Sequence, residues 1–167
     1  MIRSARRTVV AALTAALVVG SPLIAPSATA ATATAQLAHA PQPRTAQAVR
    51  TAAAAAFDDY AAGDYGLFWD RWSAASKRVV SRRDYVRRFK LCPQAVEGLR
   101  IKVEKVTLNS ARTRARVRAS RLDFLFNYDF VYEAGAWRYV LPADVARVYR
   151  KPVDQIVKEE RAAGECG

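Results

Sequence analysis

Four aromatic side chains, Tyr65, Phe68, Trp69 and Trp72, recur at i, i+3, i+4 and i+7 and therefore share one helical face. So large an apolar face cannot remain in water, and the rest of the chain has to supply a surface to cover it. The alanine-rich run from Thr45 predicts a helix before it, with Val49, Ala53, Ala56, Phe57 and Tyr60 on one side and Gly63 at its end. Asp64 is placed to cap the aromatic helix through its carboxylate. A third helix starts where Ser81 and Asp84 resemble a capping box and Val80 with Tyr85 a hydrophobic staple. It points Tyr85, Phe89 and Cys92 inward and stops at Pro93.

After Gly98 the hydrophobic period falls from 3.6 to 2. Ile101 and Val103 alternate with Lys102 and Glu104, then Val106 and Leu108 continue out of phase, which predicts a bulge near Glu104 and Lys105. Asn109 to Ala111 turn the chain into a strand with Ala115, Val117 and Ala119 on one face and Arg112, Arg114, Arg116 and Arg118 on the other. A third strand runs from Phe126 to Glu133, and Ala134-Gly135 makes a tight hairpin into a fourth, Trp137 to Leu141. Pro142 ends the sheet, and Pro152 divides the tail into two short amphipathic pieces. The pattern predicts an α+β fold: N-terminal helices packed on a curved antiparallel sheet of about four strands, cone-like, with a C-terminal helical tail.

The first 30 residues read as a secretory signal, with Arg3, Arg6 and Arg7 before an apolar core, Val9 to Val19, and a small-residue cleavage site at Ala28-Thr29-Ala30. Residues 31 to 45 are Ala, Thr and Pro with little to bury and are expected to be a disordered leader; they include His39, the only histidine. The folded domain is expected over 46 to 141 and the tail over 142 to 167. Loss of the three signal arginines takes the net charge from +12 to +9, so the processed chain stays basic. No integral membrane segment is expected after processing, and the expected location is secreted or associated with the cell envelope. In such a compartment the two cysteines, Cys92 and Cys166, read as one disulfide that tethers the tail.

The elements Phe57-x-x-Tyr60, Gly63-Asp64-Tyr65, Trp69, Ser81-x-x-Asp84-Tyr85 and the closing hairpin Tyr132 to Arg138 resemble the nuclear transport factor 2-like superfamily over about residues 48 to 141. The resemblance is to small exported actinobacterial proteins and, more distantly, to the non-catalytic cone domain ahead of some penicillin-binding transpeptidases. It implies helices covering a bent sheet around a cavity. It does not imply one chemistry, because the superfamily contains isomerases, dehydratases and cyclases beside pure binding modules.

Two candidate sites follow. Tyr60, Phe68, Trp69, Tyr128, Phe130, Tyr132 and Trp137 are candidate walls of an aromatic cavity for a small hydrophobic ligand, against the plainer role of core. Arg112, Arg114, Arg116 and Arg118 form a candidate anion-binding face for an acidic envelope polymer, an anionic lipid surface or an acidic protein, unless cross-strand acids neutralise them. Arg78, Arg82, Arg83, Arg87, Arg88 and Lys90 make a second basic cluster around the third helix. The carboxylates Asp58, Asp59, Asp123 and Asp129 keep open an alternative, a lyase or isomerase acting on a small hydrophobic substrate, but no catalytic residue is assigned. No cofactor, no metal site and no nucleic-acid-binding motif is read from the sequence. A non-catalytic binding domain is the leading expectation, and a dimerising interaction module is a third.

Overall fold

The computed structural model describes residues 40–94 and 98–167. The expected signal segment and His39 lie outside the described residues. Six helices, α1 (Ala46–Ala61), α2 (Tyr65–Asp70), α3 (Ala74–Lys77), α4 (Arg82–Leu91), α5 (Ala143–Val148) and α6 (Val153–Ala162), accompany four strands, β1 (Lys102–Leu108), β2 (Arg114–Arg121), β3 (Phe124–Glu133) and β4 (Ala136–Val140). The strands form one antiparallel sheet in the order β1-β2-β3-β4. The α+β cone-like architecture expected from the sequence is therefore observed.

Alternation decides which face of the sheet is covered. Ala115, Val117, Ala119, Phe130, Trp137 and Tyr139 point inward and are buried together with Val49, Ala53, Ala56 and Phe57 of α1, which lies across the sheet. Burying one such Val or Phe side chain stabilises the fold by about 1.5–3 kcal/mol. The expected bulge is present: pairing between β1 and β2 shifts between Val103 and Lys105. A bulge interrupts the hydrogen-bond ladder. Here the guanidinium of Arg50 on α1 donates to the carbonyls of Val103, at 2.6 Å, and Glu104, at 3.2 Å.

The helix junctions follow local rules with one exception. Gly63, at φ 78°, closes α1 with two reversed bonds, Gly63 N–H to the Tyr60 carbonyl and Asp64 N–H to the Asp59 carbonyl. Asp64 makes no side-chain cap on α2, contrary to expectation; its backbone conformation, φ −78° and ψ 57°, belongs to the tight α1–α2 turn rather than to an extended capping residue. Ser81 does cap α4, accepting from Asp84 N–H at 3.1 Å, and its hydroxyl donates to the Asp84 carboxylate at 2.8 Å.

The aromatic helix is shorter than its four rings imply. It ends at Asp70, and Trp72 belongs instead to a segment that runs beside β4: Ser73 N–H donates to the Tyr139 carbonyl and Tyr139 N–H to the Arg71 carbonyl. Ser76 then accepts from Leu141 N–H at 2.9 Å. The free edge of β4 is closed by these bonds, and the buried Ser76 hydroxyl finds its partner in the last of them.

Residues 41–44 depart from the expected loose leader. Gln42 N–H donates to the Gly135 carbonyl at 2.7 Å, the Gln42 side chain accepts from Trp137 N–H, and the Trp137 indole donates to the Pro43 carbonyl. The segment is too polar to bury much surface, but its backbone groups find partners on the β3–β4 hairpin, which composition alone does not reveal. At the other end of the chain, Cys92 and Cys166 are joined, with Cα atoms 4.8 Å apart. Val153 and Val157 of α6 pack around that bridge.

Candidate functional site

Helices α1, α2 and α4, the inner face of the sheet, and the α5–α6 tail line a half-open cavity of about 410 Å³. A volume in this range suits a small organic molecule. Phe57 and Phe68 give it aromatic flooring, Ile101, Val145 and Val148 an aliphatic margin, and Tyr60, Tyr85, Tyr128, Tyr139 and Tyr149 a set of phenols.

Burial holds those phenols neutral. The Tyr85, Tyr139 and Tyr149 hydroxyls are pushed far up in pKa by desolvation, Tyr60 and Tyr128 less so, with neighbouring phenols reinforcing the shift at Tyr85 and Tyr139. They therefore remain O–H donors at any physiological pH. The hydroxyls of Tyr85, Tyr128, Tyr139 and Tyr149 have no hydrogen-bond partner among the described residues.

Two further donors lack partners. Trp72 Nε1 and Arg121 Nε are the buried side-chain nitrogens without an acceptor among the described residues, and both residues line the cavity. Leaving a buried donor unpaired costs about 1–3 kcal/mol. Arg121 reaches Gln94 with only one weak contact, at 3.4 Å. The second guanidinium at the wall is differently placed: Arg88 is held by Glu160, its Nε lying 3.0 and 3.1 Å from the two carboxylate oxygens.

The sequence-derived cavity candidates divide. Tyr60, Phe68 and Tyr128 line the cavity. Trp69 does not; its indole donates to the Val80 carbonyl at 3.0 Å and its ring lies under the Lys77 ammonium. Phe130 is inside the core against Phe57 and Tyr139, while Trp137 and Tyr132 pack edge to face beneath the docked N-terminal segment. Several side chains of the cavity wall were missed. Arg121 continues the inward phase of Ala115, Val117 and Ala119, a signal present in the alternation. Tyr149 lies on the same amphipathic piece of the tail as Val145, and both line the cavity.

The arginine strand is only partly neutralised. Arg116 pairs with Asp129, 2.9 Å apart, whereas Glu104 is held by Lys102 and Ser120, and Glu133 accepts from Ala74 N–H. Arg112 sits in the β1–β2 turn at φ 51°. Arg114 and Arg118 have no acidic partner among the described residues, and Arg118 stands directly opposite Lys105. The cluster around α4 is half drawn into pairs, Arg82 with Asp70, Arg87 with Asp154 and Arg88 with Glu160, while Arg78, Arg83 and Lys90 have no acidic partner among the described residues.

None of Asp58, Asp59, Asp123 and Asp129 lines the cavity; Asp59 is engaged by Arg71 and Asp129 by Arg116. The carboxylates that do line it are Asp144 and Glu160. The one grouping of metal-ligand side chains among the described residues is Cys92, Glu160 and Cys166, and its sulfurs are bonded to each other. No helix among the described residues is long and apolar enough to cross a membrane. Comparison with family models, curated proteins and solved structures returns no match to this chain.

Proposed function

We propose that this chain is an exported, non-catalytic binding domain whose cavity holds a small amphipathic molecule with an apolar body and an acceptor-rich head, such as a carboxylate. One observation carries the reading: the two residues with orphaned buried donors, Trp72 through Nε1 and Arg121 through Nε, both line the cavity. Buried N–H groups left unpaired are unfavourable, and a ligand oxygen that reaches them relieves that cost. The partnerless phenols are donors as well, so the wall selects acceptors over donors. Retention of Glu160 by Arg88 keeps that carboxylate from repelling an anion.

The test is competition between a medium-chain carboxylic acid and the alcohol of equal length for a fluorescent apolar probe in the cavity. The acid is expected to displace the probe at least tenfold more effectively. Arg121→Leu should remove that preference and leave alcohol displacement unchanged. Equal displacement by both, in both proteins, sinks the reading. Mass spectrometry of native protein from its own culture identifies the molecule.

A second reading is favoured by the unneutralised pair Lys105 and Arg118, with Arg114 further along the same strand face: the outer sheet face binds an acidic envelope polymer. Retention on isolated cell wall should then fall between about 0.05 and 0.5 M salt, where exposed attraction is screened.

A further inference from the structure

The β2–β3 hairpin ends in an apolar tip. Leu122, Phe124, Leu125 and Phe126 are 66%, 67%, 52% and 43% exposed, and they follow one another within five positions. So dense an exposed cluster marks an interaction surface rather than scattered surface chance. We propose that this tip inserts into the interfacial layer of an anionic lipid bilayer and seats the domain there.

Three features of the tip point to immersion. First, it is apolar on both faces. The phase of β3 puts Phe124 and Phe126 on the side of Tyr128 and the buried Phe130, and Leu125 on the outer side, while Leu122 is at the apex. A protein partner docking on one face would leave the other side wet; a lipid interface covers both.

Second, the apex residue is costly where it stands. Leu122 adopts φ 53°, the left-handed region where Cβ crowds the backbone and where hairpin turns favour Asn or Gly. The fold gains nothing from a branched apolar side chain that is two-thirds exposed in that conformation. A bilayer does: it buries the side chain.

Third, the collar behind the tip is cationic. Lys102 lies one strand from Ser120, which faces Leu125, and Arg118 stands in the next rows beside Lys105 and Asn127. Arg100 precedes β1 and is exposed. The acids nearby are Asp123 in the turn and Glu104, the latter held by Lys102 and Ser120. An apolar tip with a ring of Lys and Arg behind it matches the headgroup layer of an anionic leaflet, where short-range burial and surface potential act together. The same collar disfavours a second copy meeting tip to tip, since like charges would face one another. This proposal goes beyond cavity binding and stands without it.

Co-sedimentation with vesicles tests it, using pure phosphatidylcholine and a mixture with about one-third phosphatidylglycerol at physiological salt. The protein is expected on the mixed vesicles at least tenfold more than on the neutral ones. Phe124→Ser/Leu125→Ser should reduce that binding at least tenfold with an unchanged melting temperature, because both side chains are exposed. A Phe124→Trp reporter should shift its emission to the blue on mixed vesicles. Equal binding by the double-serine variant would mean that the cations alone attract the protein and overturns insertion. So does absence of vesicle binding, or a concentration-dependent dimer in sedimentation that the same double substitution abolishes.

Discussion

Arg88 on α4 spans both carboxylate oxygens of Glu160 on α6, 72 positions away, and the pair forms part of the cavity wall. Both side chains are mostly buried, 16% and 13% exposed, so each depends on the other for solvation. Glu160→Ala is expected to destabilise the fold by about 2 kcal/mol, since it leaves a cation without its partner. Arg88→Met/Glu160→Leu should recover most of that loss. Urea unfolding of the parent and the two variants gives the comparison; equal losses in the single and double variants would show that packing, not charge pairing, sets the cost.

The disulfide holds the same region covalently. Cys166→Ala should lower stability by about 2–4 kcal/mol. Hydrogen exchange is expected to accelerate first in α6 and α5 and to leave the sheet protected, because α6 packs on α4 and on the bridge itself. Acceleration spread evenly over β1 to β4 would contradict this.

Lys105 and Arg118 face each other across β1 and β2. Opposite charges in that position help a sheet and like charges harm it, by about 0.2–1 kcal/mol. Lys105→Glu should therefore raise the melting temperature at low salt. The gain should vanish near about 0.5 M salt, where screening is nearly complete.

The phenols predict alkaline sensitivity. Desolvation raises Tyr85, Tyr139 and Tyr149 above the ordinary value, so the folded chain keeps protons that the unfolded chain releases near pH 10. Stability is thus intact below about pH 10 and falls as pH rises beyond it, by at most about 4 kcal/mol per unit for three such groups. Tyrosinate absorbance from these residues should appear together with unfolding. In Tyr149→Phe the decline should be shallower.

Relief of the hairpin apex is measurable without any lipid. Leu122→Asn should stabilise the free protein by about 1 kcal/mol, because Asn tolerates the left-handed conformation that Leu122 occupies. A lower melting temperature in this variant would mean that Leu122 makes contacts its exposure does not suggest.

Much of the fold was legible because it depends on period and punctuation. The change from Phe89 and Cys92 at helical spacing to Ala115, Val117 and Ala119 at alternate positions marks where helices give way to sheet, and the phase slip at Val103 and Lys105 marks the bulge. The site was legible only where one element shows it. Tyr60 and Tyr128 declared themselves on their own helix and strand, but the pairing of Arg88 with Glu160 depends on how α6 returns to α4, which no local pattern encodes. Trp69 and Trp72 illustrate the same limit from the other side. Helical spacing put them together, yet α2 ends between them, so Trp72 enters the cavity wall while Trp69 turns to the Val80 carbonyl.

The bridge between Cys92 and Cys166 has a consequence for the cavity itself. Asp144, Val145, Val148 and Tyr149 come from a stretch anchored by β4 at one end and by sulfur at the other, like a lintel resting on two posts. With the second post removed, that side of the cavity loses its covalent support. Reduction of that pair therefore reaches the cavity wall as well as the tail, so the shape of the hollow is coupled to the oxidation state of two sulfurs.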